Sequence, residues 1–196
     1  MPILRALALV YQDDARARVT SDEYMFGPDL LVAPVIDENT RRPVYLPEGE
    51  WIDYWTGAQT SGGKVLVVDA PLDMIPVYVR AGAVLPKIPE DVMTLVPQSE
   101  SGNSKVKSLD HRRVYEINDV RGSSSMTDFE GRSVVRTGNT MKIKGDSAAH
   151  IIVRWRFTKP QNVTVNGTAA QMTESVTGTA GSVEFDHSKE SVVVWQ

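Results

Sequence analysis

The 196-residue chain has no cysteine. That removes disulfides, thiolate nucleophiles and cysteine-based zinc sites from consideration, and it leaves the compartment unindicated. No apolar run approaches the roughly 20 residues that a bilayer-spanning helix needs, and Met1-Pro2-Ile3-Leu4-Arg5 has none of the sections of a signal peptide. No membrane partner and no targeting segment are therefore expected. An excess of positive charge is also missing. With 21 basic and 25 acidic side chains the formal net charge is −4, which provides no footprint for phosphate backbones and excludes nucleic acid as an expected partner. The three histidines, His111, His150 and His187, show neither i, i+4 nor His-x-His spacing, so no metal site is expected. Ser123-Ser124-Ser125 lies outside any Gly-x-Ser-x-Gly turn, and there is no phosphate loop and no sign of a cofactor.

What is present is the composition of a globular protein, with 41% hydrophobic and 23% charged residues. Two dense apolar runs occupy the first 36 residues, Ile3 to Val10 and Leu30 to Ile36, separated by the polar stretch Gln12 to Glu23. The second run is short, apolar on both faces and carries Pro34. It reads as a parallel strand buried on both sides, and such a strand needs neighbours and cover. The chain is thus expected to begin inside a domain, the alternative being that Ile3 to Val10 packs onto the β-domain that follows.

From Arg41 the pattern changes to short alternating runs punctuated by Gly, Pro, Asn and Asp, the signature of antiparallel sheets with tight turns. Val44 to Leu46, Trp51 to Trp55, Val65 to Val68 and Ile75 to Arg80 read as strands of a first β-unit that ends near Pro97. The polar segment Gln98 to Lys107 is the best linker. A second β-unit follows, with its clearest strand over Ile151 to Phe157, where Ile151, Val153, Trp155 and Phe157 share one face. Met141 to Lys144 alternates likewise, Val163-Thr164-Val165 runs into the Asn166-Gly167 signal of a type I′ hairpin, and the chain closes on Val192 to Trp195. The sequons at Asn162 and Asn166 would matter only in a secreted eukaryotic chain.

The chemistry-bearing residues give no catalytic constellation. Asp13-Asp14, Asp22-Glu23 and Asp37-Glu38 lie in polar turns with no desolvating neighbours, and they read as solvated charges or caps. Trp51, Tyr54 and Trp55 form an aromatic cluster. If the strand runs through all five residues, Trp51 and Trp55 share one face and Tyr54 the other, so at least one aromatic must enter the core. Core packing is the first reading, and a sugar-stacking platform at Trp51 and Trp55 is the second.

Three motifs, in order, carry a family resemblance. Pro2-Ile3-Leu4-Arg5-Ala6-Leu7 and Tyr24-Met25-Phe26-Gly27-Pro28-Asp29-Leu30-Leu31-Val32-Ala33-Pro34-Val35 are similar to the segment with which glycoside hydrolase family 31 closes its (β/α)₈ barrel. Val44 to Gly57 resembles the first strands of that family's proximal C-terminal β-sandwich, and Ala70 to Pro86 its ending. Thr127-Asp128-Phe129-Glu130-Gly131 and Val163 to Gly167 resemble the distal β-domain more loosely, and the acidic Tyr-x-Asp-Asp-Gly signature is blurred to Tyr115-Glu116-Ile117-Asn118-Asp119. The resemblance implies a mainly β chain: 1–36 as the last segment of a (β/α)₈ barrel, 37–97 as a proximal and 98–196 as a distal antiparallel β-sandwich. It further implies a retaining enzyme for terminal α-glycosidic bonds, with an α-linked glucoside or xyloside as substrate, whose nucleophile and acid/base aspartates precede the region matching Met1. No catalytic, cofactor or metal role passes to any residue here. The competing readings are a carbohydrate-binding module using Trp51, Trp55 or Trp155, and a structural domain with homo-oligomer contacts.

Overall fold

The computed structural model describes residues 2–89, 112–118, 122–173 and 179–196. It is mainly β and divides into two compact units, Met1–Ala81 and Gly82–Gln196. In the first, the chain runs through β1 (Leu4–Ala6), the one-turn helix α1 (Leu7–Val10), β2 (Tyr24–Phe26), β3 (Leu30–Val32), β4 (Arg41–Leu46), β5 (Glu50–Asp53), β6 (Gln59–Ser61), β7 (Lys64–Asp69) and β8 (Val77–Arg80). A six-stranded antiparallel sheet has the order β1-β2-β3-β8-β5-β6, and β4 pairs with β7 separately.

The parallel strand expected over Leu30 to Ile36 is therefore antiparallel. Leu30–Val32 pairs with β2 on one side and with Val77–Val79 of β8 on the other, and the stretch after Val32 has left the sheet. Its apolar residues on both faces suggested parallel burial, but within β3 Leu31 alone is fully buried, while Leu30 and Val32 are half-buried. Ile3 to Val10 divides between an edge strand and a helical turn. Tyr24–Phe26 takes the place between it and β3, so the first 36 residues share their sheet with β5 and β8. The core gathers Leu7, Met25 and Leu31 with Val44, Leu46, Trp51 and Tyr78, drawing on both sheets.

Two turns carry the chain between these sheets. Pro47 to Gly49 joins β4 to β5, and Gly62-Gly63 joins β6 to β7. The turns lie back to back, with Gly62 N–H donating to Gly49 O at 2.7 Å and Gly63 N–H to Leu46 O at 2.8 Å. A Cβ on Gly62 would stand 1.8 Å from Pro47 O, so the close approach demands glycine there.

The second unit contains β9 (Val84–Lys87), β10 (Arg112–Ile117), β11 (Ser123–Thr127), β12 (Ser133–Thr137), β13 (Thr140–Lys144), β14 (Ala149–Trp155), β15 (Val163–Val165), β16 (Thr168–Ala169), β17 (Gly181–His187) and β18 (Glu190–Trp195). One sheet runs β17-β14-β10-β9 and the other β11-β12-β13-β18-β15-β16. Side chains of both meet in one core that includes Tyr115, Ile151, Val153 and Trp155 from the first sheet and Val134, Met141, Ile143 and Trp195 from the second. The Asn166-Gly167 hairpin forms as read, with φ of 52° and 81°, and Asn166 Oδ1 accepts from Val192 N–H at 2.8 Å. β14 ends at Trp155, two residues before the expected Phe157. β10 and β14 pair in parallel, because the intervening β11–β13 belong to the opposite sheet and the chain returns beside β10 in the same sense. β9 falls in this unit, so the compact division comes at Ala81/Gly82, earlier than the composition change near Pro97. The linker Gln98 to Lys107 lies outside the described residues.

Candidate functional site

The aromatic corner at the end of β5 separates the two tryptophans. Trp51 points into the core at 0% exposure, its Nε1–H donating to Pro47 O at 2.8 Å and the Arg80 guanidinium 5.0 Å from its ring centroid. No face of this indole is open to a sugar, and the platform reading does not hold for it. Trp55 is different because the strand stops at Asp53. The Asp53 carboxylate accepts from the N–H groups of Trp55 and Thr56 at 2.8 and 2.9 Å, which turns the chain out of the sheet and releases Trp55 from strand alternation. Trp55 is 46% exposed. It is oriented by an Nε1–H bond to Ile75 O at 2.7 Å and by a near-perpendicular contact with Tyr54, centroids 5.1 Å apart. Ile75 is also exposed. Trp155 is buried edge-to-face against Trp195 and is unavailable to a ligand.

The carboxylate pairs resolve one by one. Asp14 caps the turn that follows it, accepting from Arg16 and Ala17 N–H, and takes a 2.6 Å bond from the Tyr45 hydroxyl. Burial works to raise its pKa, but these donors outweigh it and hold the carboxyl below its usual value. Asp37 is held low by the Asn39 side chain and backbone in an exposed turn. Asp22 pairs with Arg42 at 3.0 Å.

Glu23 departs from the expectation of a solvated charge. It is 5% exposed, and one carboxyl oxygen accepts from Tyr45 N–H at 2.8 Å while the other has no hydrogen-bond partner among the described residues. Burial pushes its pKa up to about 7, against the pull of the Tyr45 backbone. The signal was in the alternation: Glu23 stands two residues before Met25, hence on the same pleat face, and Met25 is wholly buried. This acid reads as a core group tied to β4, closed off from any substrate.

In the second unit, His150 lies between Asp186 at 2.9 Å and Glu184 at 3.2 Å, and the bond to Asp186 leads in raising its pKa. His187 is buried, its ring nitrogens engaged with Ser191 Oγ and Gly145 O, and burial lowers its pKa. His111 lies outside the described residues. Among the described residues, no three His, Cys, Asp or Glu side chains gather as a metal would require. Ser123, Ser124 and Ser125 lie within β11, paired with β12.

A more heavily built charge network surrounds Arg132, which is fully buried. Its guanidinium meets Asp128 (Nε–Oδ2 2.9 Å) and Glu130. Asp128 also accepts from Tyr115 Oη at 2.8 Å and from the N–H groups of Glu130 and Arg132. Alternation alone gave no hint of it, since Asp128 and Glu130 sit in a turn.

Residues 1–85 match the family model described as the glycosyl hydrolase family 31 C-terminal domain. Over 193 residues, 92% of the chain, the sequence is 33% identical to an isomaltosyltransferase of Sporosarcina globispora, and over 92 residues it is 41% identical to an α-xylosidase of Saccharolobus solfataricus. These matches span 17% and 13% of the two relatives, so the chain corresponds to about a sixth of their length or less. Among solved structures, a cycloalternan-forming enzyme from Listeria monocytogenes superposes with a TM-score of 0.77 at 28% identity, covering 98% of the chain and 20% of that enzyme. A dextranase from Flavobacterium johnsoniae, at 22% identity, shares the fold over the whole chain and 29% of its own length, with a TM-score of 0.75.

Proposed function

Residues 1–85 belong to the C-terminal domain family of glycosyl hydrolase family 31, and from that premise we propose that the chain is the non-catalytic C-terminal part of a retaining hydrolase of terminal α-glycosidic bonds. An α-glucoside or α-xyloside is the substrate of the whole protein. The observation that carries this reading is the 33% identity to the isomaltosyltransferase, which runs through both compact units. In this reading, 1–36 is the stretch by which the chain leaves a (β/α)₈ barrel and enters the sheet of the next domain. The rest of the first compact unit, to Ala81, completes a proximal β-sandwich, and the unit that begins at Gly82 is the distal one. Support comes from the edge of the first sheet, where the cross-strand pair Leu4 and Phe26 and the nearby Ile3 are exposed, an apolar surface of the kind a catalytic domain would cover. The retaining mechanism needs two carboxyl groups roughly 5–5.5 Å apart across a sugar. The carboxylates described above serve as caps, ion pairs or buried acids. Purified residues 1–196 are accordingly expected to release no nitrophenol from nitrophenyl α-glucosides or α-xylosides. Turnover at an enzymatic rate that a single Asp substitution abolishes would overturn the assignment.

A second role is favoured by the exposure and fixed orientation of Trp55, which suit it to stack on a sugar ring. Saturable quenching of tryptophan fluorescence by maltooligosaccharide, lost in Trp55→Phe, is the expected result. An unchanged spectrum at millimolar sugar excludes this role.

A further inference from the structure

In the second unit the turn between β11 and β12 presents Phe129, a residue 81% exposed. A lone apolar side chain on a surface turn ordinarily carries no message. This one is braced from below. The turn closes through Gly131 N–H to Asp128 O at 3.0 Å and Asp128 N–H to Arg132 O at 2.9 Å, with Gly131 at a φ of 83°. The Asp128 carboxylate draws in the Glu130 and Arg132 amides, the Arg132 guanidinium and the Tyr115 hydroxyl. Arg113, on β10, forks onto Glu130 through Nε at 3.0 Å and a second nitrogen at 2.6 Å, while its guanidinium carbon lies 4.5 Å from the Phe129 ring centroid. One face of the ring is thus backed by a nearly buried cation and the other is turned to solvent. Its position is fixed before any ligand arrives.

We propose that Phe129 is a stacking platform for one glucosyl unit of an α-linked glucan, a secondary binding site outside the catalytic domain. The substrate class rests on the function proposed above. The remaining argument is local. The apolar C–H face of a pyranose matches an open aromatic face, and the partly exposed Glu130 carboxylate beside the ring can accept from sugar hydroxyls. A protein partner would need a contiguous apolar centre, because stable interfaces bury on the order of 800 Å² per side around a desolvated core. Among the described residues of this unit, only Ile88 and Val135 are further large apolar side chains with comparable exposure, and neither is in the turn. A ring held by a salt-bridged guanidinium also loses little freedom on binding, which favours a small, weakly held ligand.

Native affinity electrophoresis of the whole chain in gels containing soluble dextran tests this. The wild-type chain is expected to be retarded, and Phe129→Ala to bind roughly tenfold more weakly. Phe129→Trp should retain binding, with the thermal midpoint unchanged in both variants because the ring is outside the core. A β-linked glucan in the gel should give no retardation. The proposal is overturned if dextran does not retard the wild type, if Phe129→Ala is retarded equally, if β-glucan works as well, or if Trp55→Ala alone abolishes retention. None of these outcomes bears on the non-catalytic reading proposed above, which would fail instead through turnover by the isolated chain.

Discussion

Glu23 is the residue whose chemistry most exceeds its appearance in the sequence. Its folded pKa of about 7 stands above the 4.5 of an unhindered glutamate, so the folded chain holds a proton that the unfolded chain releases. The stabilisation is fully present below about pH 4.5 and is lost as the pH rises through 7, amounting to about 3 kcal/mol by linkage. Glu23→Gln keeps an oxygen for Tyr45 N–H and cannot ionise. Urea unfolding followed from pH 4.5 to 8 should show the wild type losing stability relative to Glu23→Gln across this window, with the variant more stable at pH 8. A constant difference between the two would contradict the assignment. Glu23 was missed because an acidic pair in a polar stretch looks solvated, whereas the inward alternation that buries Met25 reaches back to Glu23, just before β2 begins. Trp55 was misplaced for a related reason: the Asp53 carboxylate ends the strand early, and no alternation rule anticipates where a side chain will capture its own backbone.

At the level of elements, the Asn166-Gly167 turn was legible, while the Gly62-Gly63 turn and its packing emerged only in the fold. Both turns require glycine, for different reasons. Gly167 has a positive φ of 81° with open space around its missing Cβ, while Gly62 has its Cβ position occupied by the Pro47 carbonyl. Gly167→Ala is expected to cost about 1–2 kcal/mol through backbone strain. Gly62→Ala should cost more, since the two turns joining the sheets must separate and relaxation cannot be confined to a side chain. Denaturant midpoints of the two variants would measure the order, and equal costs would show that the contact relaxes freely. Alternation anticipated β13 and β14, whereas β11, β12 and β17 were not read from the sequence. The antiparallel pairing of Leu30–Val32 did not, because apolar residues on both sides of a strand report burial and are silent on the direction of the neighbours.

For the molecule as a whole, composition and punctuation were enough to read a mainly β chain, whereas the segments expected over 1–36, 37–97 and 98–196 differ in number and bounds from the two compact units, which divide at Ala81/Gly82. The parallel contact between β10 and β14 was hidden, because it depends on three strands departing to another sheet. The same topology places β18, last in sequence, between β13 and β15 in the interior of its sheet, with Val193 and Trp195 in the core. Removal of 190–196 is therefore expected to abolish the cooperative unfolding transition of the second unit, seen as loss of near-ultraviolet circular dichroism from the Trp155–Trp195 pair. During synthesis on the ribosome this has a temporal meaning. β13 and β15 wait with open edges while the tunnel still holds their partner, so the second unit closes only after Trp195 emerges, and the nascent chain is most exposed to aggregation and to chaperones just before that moment.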